Sequence, residues 1–427
     1  MTSAPELVSA VGGTRLVPAP DPIAADYILL GLRLDQHIPG LVDAYYGPAD
    51  LKARVDMEQL RSPGRLREDV ASLADRVARE IDEGDRREWL TAQLIALDAH
   101  ARALAGEPLP YPEYVERCMG FAPRRHDDSA FDDAVSAIDA LLPGRGSVAN
   151  RLEAWDRELE VPLDRLPSVA EWLVERFRGR ALRDLGLPEG ESLRVSIVRD
   201  QPWIAYNWYE GGRHSRVDVN VDLPVTAPDL VVTIAHETYP GHHLELSWKE
   251  ADLVDRDHRL EVSMLLTNTP EGPVSEGLAR YGTRLASPLD ERADLLVELF
   301  DRAGIAVAAD SAAARDLAER AVALAAPREV LHGAVDEAAL RRHADGRSSR
   351  EVLKYLRDVG RYSKEVAAKR FAFIEDPLSR LYVFAYEEGE ELIARWVETG
   401  EAPDRVGRFG RLLHEQVTPG RLRAALD

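Results

Sequence analysis

Apolar residues recur at intervals of three and four over most of the chain, the period of a helix with one buried face. Leu66, Val70, Leu73 and Val77 mark such a face between positions 63 and 83, and Trp89, Leu94 and Leu97 mark another between 87 and 105. The same pattern predicts helices over 26–36, 132–142, 148–159 and 167–185, with Leu109-Pro110-Tyr111-Pro112 and Pro143-Gly144-Arg145-Gly146 as breaks. Between 193 and 221 the period shortens to two. Leu193–Val198, Trp203–Tyr209 and Arg216–Val221 predict three strands, with Gly211-Gly212 as the turn before the third. Helical patterning returns over 293–303, 312–324, 349–358 and 363–373, and a further helix is expected from Leu378, after Asp376-Pro377. There is no internal repeat and no low-complexity tract. The expectation is a mainly α fold of one helical domain over 22–427, with a small antiparallel sheet at about 193–222. The Ala-, Pro- and Gly-rich residues 1–21 are expected to be a disordered leader.

One stretch breaks the monotony. The apolar run Leu230-Val231-Val232-Thr233-Ile234-Ala235 leads into His236-Glu237-Thr238-Tyr239-Pro240-Gly241-His242-His243. Thr226 and Asp229 read as a capping box, so a helix is predicted from Ala227 that carries His236 and Glu237. Three of the eleven histidines fall within eight residues, beside a glutamate. Packing does not call for that density. A metal-dependent hydrolase does: imidazoles bind the ion, and the adjacent carboxylate activates its water. The usual spacing, H-E-x-x-H, places both ligands one turn apart. Here Pro240 occupies the second position, and Pro240-Gly241 predicts a kink or bulge. In a straight helix His243 would lie on the face of His236 but roughly 10 Å along the axis. A bulge absorbing two residues would bring in His242 instead. Both remain open on spacing alone.

H-E-x-x-P-G-H-H followed by L-E resembles the signature of the DUF885 proteins. These look like gluzincin-type zinc peptidases, with a helical fold similar to the M32 carboxypeptidases and M3 oligopeptidases. The resemblance extends to Glu276-Gly277-Leu278-Ala279-Arg280-Tyr281, which matches E-G-W-A-x-Y with leucine for tryptophan. Leu34-Asp35-Gln36-His37-Ile38-Pro39-Gly40 looks similar too. The resemblance implies a mainly α, zincin-like fold with the small sheet beside the cleft, and one zinc per chain held by His236, by His242 or His243, and by Glu276. Glu237 would be the general base toward a metal-activated water in the hydrolysis of a peptide or small amide substrate. Tyr386, in Tyr386-Glu387-Glu388-Gly389 where relatives show Y-K-x-G, would donate a hydrogen bond to the oxyanion. Glu387 departs from that pattern. Glu245 reads either as support behind a ligand imidazole or as a surface residue, and Glu271, in the loop before Glu276, is the rival carboxylate. Arg380 and Arg395 are candidate anchors for a substrate carboxylate.

Charge narrows the partners. A net charge of −21 opposes nucleic acid and anionic membranes. No apolar run reaches the roughly 18 residues a span requires. The single cysteine, Cys118, cannot form an internal disulfide; it reads as a core residue, and the expected place is the cytoplasm. The strand Arg216–Val221 is expected to be the sheet edge that faces an extended substrate. Two other functions fit the same residues: a metal-binding protein without turnover, and a hydrolase of a non-peptide amide or ester.

Overall fold

The computed structural model of the protein describes residues 21–426 apart from 108, 202, 402 and 403. Positions 1–20 of the expected leader lie outside the described residues. Asp21 already caps the first helix, Pro22–Asp35, by accepting from the Ala24 amide at 2.8 Å.

The fold is mainly α, as the apolar spacing predicts, and several helix starts are set by side chains visible in the sequence. Ser62, Ser147 and Ser363 each accept an amide of the first turn, opening helices Pro63–Glu80, Val148–Glu158 and Lys364–Glu375. Ser348 and Glu351 form a full capping box on Ser349–Asp358. Two expectations need correction. The segment expected over 312–324 is a single helix, Ser311–His343, which continues through Pro327. The carbonyl that Pro327 deprives of its partner belongs to the exposed Ala323, where water can replace the lost hydrogen bond. The helix expected from Leu378 is two, Ser379–Tyr382 and Ala385–Glu398, because the buried Val383 and Phe384 form a turn between them.

The three strands expected between 193 and 221 fall close to their positions, two further strands were not expected, and the sheet differs from the expected one. Five strands are described: β1 (Val42–Tyr45), β2 (Ser192–Val198), β3 (Ala205–Gly211), β4 (His214–Asn220) and β5 (Met264–Leu266). β1 and β5 form an antiparallel pair; β2, β4 and β3 form a three-stranded sheet in that order. β2 runs parallel to β4, so the sheet is mixed rather than antiparallel. β4 is its central strand, hydrogen-bonded on both sides, and so cannot serve as the edge for an extended substrate. Its last four residues are all buried, as befits a strand with neighbours on both flanks.

Buried side chains gather into two main clusters. One unites the first helices with Leu253–Leu266; the other fills the rest of the fold. The helix Asp85–Leu104 belongs to both, Leu94 and Leu97 facing one cluster and Ala96 and Ala99 the other. Its His100 is 2% exposed. Nε2 lies 3.0 Å from the Asn268 carbonyl, which only accepts, so Nε2 carries the proton and Nδ1 accepts from the Tyr114 hydroxyl at 2.8 Å. Burial pulls its pKa down to about 4, against the Asn268 carbonyl. The folded state therefore favours the neutral ring. Its contribution is complete above the unfolded value of about 6.5 and shrinks by about 1.4 kcal/mol per pH unit as pH falls toward 4. Urea unfolding between pH 7 and 5 should show this slope reduced by one proton in His100→Gln; equal slopes would refute the assignment. Cys118 is fully buried 3.7 Å from the same ring, its thiol pushed up by burial, and is a core residue as expected.

Candidate metal centre

The helix Ala227–Glu237 starts where the sequence places it. Thr226 Oγ1 accepts from the Asp229 amide at 3.3 Å and donates to the Asp229 carboxylate at 2.7 Å. Its ending was not foreseen. The helix does not continue through a kink; it stops at Glu237, and a second helix, His242–Lys249, begins five residues on. Gly241 makes the corner possible. A Cβ at that position would lie 1.7 Å from the His236 carbonyl oxygen, closer than any side chain permits. The last carbonyl of the first helix, that of Glu237, accepts from Asn207 Nδ2 of β3 at 2.7 Å, which supplies the partner a helix end lacks.

At this corner the His236 and His242 rings meet, centroids 4.7 Å apart and planes at 87°. Each side chain is 16% exposed, so the pair is reachable from outside. Glu276 joins them from the helix Glu271–Ala286. Its Oε1 accepts from the Tyr382 hydroxyl at 2.7 Å. Its Oε2 is buried without a hydrogen-bond partner, 3.2 Å from His236 Nε2 and 3.8 Å from His242 Nε2. All three ligand atoms lie within 4.8 Å of one another. Ligands about 2.0–2.1 Å from a tetrahedral zinc stand roughly 3.3 Å apart, so the group fits such an ion. An unpartnered carboxylate oxygen facing two imidazole nitrogens is what a cation would satisfy.

Glu276 is held there by an unusually close helix pair. A Cβ on Gly277 would meet the Gly389 carbonyl oxygen at 2.3 Å, and one on Gly389 would meet the Pro273 carbonyl oxygen at 2.2 Å. Backbone thus packs on backbone between Glu271–Ala286 and Ala385–Glu398, the helix of Tyr386.

His243, the alternative ligand, does not join the group. It is fully buried, with Nδ1 2.8 Å from Ser215 Oγ and Nε2 3.0 Å from Glu191 Oε2. Both nitrogens are spent. The corner at Gly241 starts a new helix, so His243 turns toward the sheet while His242 faces His236. Glu191 also binds Arg178 and the Tyr239 hydroxyl; burial would raise its carboxyl, but His243, Tyr239 and Arg178 hold it at about 2.

Behind His242 stands a buried polar chain. Ser275 Oγ donates to Glu245 Oε2 at 2.6 Å and lies 3.2 Å from His242 Nδ1, so Nδ1–H donates to the serine and Nε2 turns toward Glu276. Glu245 Oε1 accepts from Lys249 Nζ at 2.8 Å, and Lys249 reaches Glu271 at 3.1 Å. Glu271 is the first residue of its helix rather than part of a loop, and this lysine holds it away from the imidazoles. Burial would raise the Glu245 carboxyl, yet Lys249 and His242 hold it at about 2. Burial would lower His242, but Glu245, Glu276 and Glu237 raise it to about 9. These carboxylates hold a proton on His242 where no metal ion balances their charge.

Glu237 is buried, and burial raises its pKa, with His236 and His242 opposing and Glu276 reinforcing. Tyr386 is pushed well above the usual tyrosine value by burial and by the charges of Glu276 and Glu237. Its neighbour Tyr382, ring centroids 5.6 Å away, is the tyrosine that touches Glu276. The sequence pairs these tyrosines on one face but offers no sign of which one reaches the carboxylate. Asp43 was missed altogether. It is the unpaired residue of a bulge, between Val42 opposite Leu266 and Ala44 opposite Leu265. Bulges re-aim side chains, and this one faces the cluster. Burial raises its carboxyl to about 7, with His242 opposing and Glu276 and Glu237 reinforcing. A four-residue strand with one polar position carries no signal that could have found it. Neither Arg380 nor Arg395 is in contact with the group; Arg395 is exposed on the outer face of its helix. Arg370 and Arg280 oppose the upward shift of Tyr386.

No family model matches this sequence, and no curated protein matches it. Solved structures do. A "putative lipoprotein" from Colwellia psychrerythraea superposes with a TM-score of 0.53 at 12% identity, covering 84% of this chain and 65% of that one. The chain therefore spans just under two thirds of that protein's length. A "putative lipoprotein of unknown function" from Shewanella oneidensis superposes with a TM-score of 0.50 at 11% identity, covering 95% of this chain and 83% of that one. At these identities the likeness is one of fold. Among the described residues, no helix is long and apolar enough to cross a membrane.

Proposed function

We propose that this chain is a zinc-dependent hydrolase of peptide or related amide bonds, as its resemblance to the DUF885 proteins implies. The observation that carries the reading is the convergence of His236, His242 and Glu276 around the unpartnered Glu276 Oε2, with Glu237 next to a ligand imidazole. Zinc held by these three residues would supply a Lewis acid for the scissile carbonyl and would acidify a water.

The remaining work falls to side chains. Glu237 takes the proton of the attacking water and passes it to the leaving amine. Its burial raises its proton affinity, which suits a group that must gain and lose a proton in one cycle. Tyr382 fixes the rotamer of Glu276 through Oε1, and Ser275 with Glu245 fixes that of His242. Tyr386 stays protonated and donates to the oxyanion.

The test is a metal-stripped sample and a zinc-reloaded one, each incubated with a mixed peptide library and read by mass spectrometry. Cleavage is expected only after reloading. A zinc-loaded protein that leaves peptides and simple amides intact would move the assignment to metal binding without turnover.

A further inference from the structure

Glu387 stands next to Tyr386 in sequence but belongs to a different group of side chains. It occupies the first turn of Ala385–Glu398. His126 comes from the segment between helices Tyr111–Met119 and Asp128–Leu141, and Asp336 from the long helix Ser311–His343. One ligand atom of each lies within 4.8 Å of the other two. His126 Nε2 and Glu387 Oε2 are 3.3 Å apart. Asp336 is 7% exposed and has no hydrogen bond or ion pair among the described residues. Leaving a buried carboxylate in that condition is costly, since burial disfavours the charge and nothing repays it.

The close approach of these side chains to the long helix is built into its backbone. Gly333 lies one turn before Asp336. A Cβ there would come within 2.9 Å of His126 Cε1 and 3.0 Å of Glu387 Oε2. Any other residue would push the imidazole and the carboxylate off the helix that carries Asp336. The neighbouring arginines are drawn to other oxygens. Arg124 engages Glu387 Oε1 at 3.4 Å, Glu388 at 3.2 Å and Glu391 at 2.8 Å, so it takes the outer oxygen of Glu387 and not the inner one. Arg280 acts on Asp336 from a distance but is committed to Glu390, at 2.7 Å, and to Glu329. Glu388 and Glu329 add negative charge around Asp336.

We propose that His126, Asp336 and Glu387 form a second divalent-cation site, separate from the His236 centre, suited to zinc or manganese. One imidazole and two carboxylates are an N/O donor set for such ions. The ion would tie three elements together: the segment of His126, the long helix, and the first turn of the helix that bears Tyr386. The competing arrangement is a proton shared between Asp336 and Glu387. It satisfies the carboxyls but assigns no role to the imidazole that converges on the same point.

The experiment removes the first centre and titrates what remains. Metal-stripped His236→Ala protein is titrated with zinc by calorimetry and by thermal unfolding. About one equivalent should bind and the unfolding midpoint should rise. His236→Ala/Glu387→Lys is the partner measurement, chosen because the new ammonium would satisfy Asp336 from within and so keep the fold intact. It should bind no zinc, and its midpoint without metal should be no lower than that of the parent. Zinc uptake that is absent in the parent, or equal in both proteins, overturns the proposal. The first outcome points to the shared proton, the second to residual binding at the His242 centre.

Discussion

Glu237→Gln should bind zinc as the wild type does, unfold at the same temperature, and lose kcat by roughly 10²–10⁴, the range for removing a general base. The amide keeps the size and the hydrogen-bonding reach of the carboxylate but accepts no proton. It also removes a buried charge that burial already disfavours, so stability should hold or improve. The measurement is cleavage of a peptide found in the library assay, followed at saturating substrate, with zinc content determined on the same sample. Unchanged turnover would refute Glu237 as the base. A parallel loss of zinc would mean that Glu237 holds the metal rather than serving the water.

The second large effect concerns the ligands. His236→Ala and His242→Ala should each lose one equivalent of zinc relative to wild type. The drop in affinity should exceed the roughly 10–100-fold that loss of an outer partner costs. His243→Ala should keep its zinc and instead lose about 1–3 kcal/mol of stability, because buried Glu191 and Ser215 lose a hydrogen-bond partner. Equilibrium dialysis against a zinc chelator, with urea unfolding of the same variants, separates the two outcomes. Zinc loss confined to the His243 variant would reverse the assignment.

How much of this was legible in the chain depends on what each feature rests on. Helices marked by apolar spacing and serine caps were readable to within a few residues, because both signals are local. β1 and β5, of four and three residues, are too short to show a period, whereas the three strands between 193 and 221 were readable for the same reason as the helices. The neighbours of β4 were not, since pairing order is a property of the whole sheet, and the edge expected at Arg216–Val221 turned out to be the centre. While Glu276 stood out only through the resemblance, the histidine cluster was in plain view. The choice between His242 and His243 was not, because helical geometry assumes a continuing helix, and the corner at Gly241 ends it. Glu245 was read only as an alternative between support and surface. What decides it is Ser275 and Lys249, one on another helix and one a turn away, and neither is conspicuous as a polar residue in a helical stretch. Tyr382 and Asp43 lay beyond reach altogether. One depends on a two-residue turn that breaks a helix, the other on a bulge.

The contact between Gly277 and Gly389 sets a mechanical tolerance for the whole site. Glu276 immediately precedes one glycine, and Tyr386 stands three residues before the other. The gap between these two groups is therefore gauged by a pair of hydrogen atoms where other helix pairs interpose side chains and stand 8–10 Å apart. A single methyl at either position acts as a shim, widening the separation without touching any reacting group. Displacements of about 1 Å can cost two orders of magnitude in rate. The dimension that most needs to be exact is thus entrusted to the two residues that have nothing to adjust.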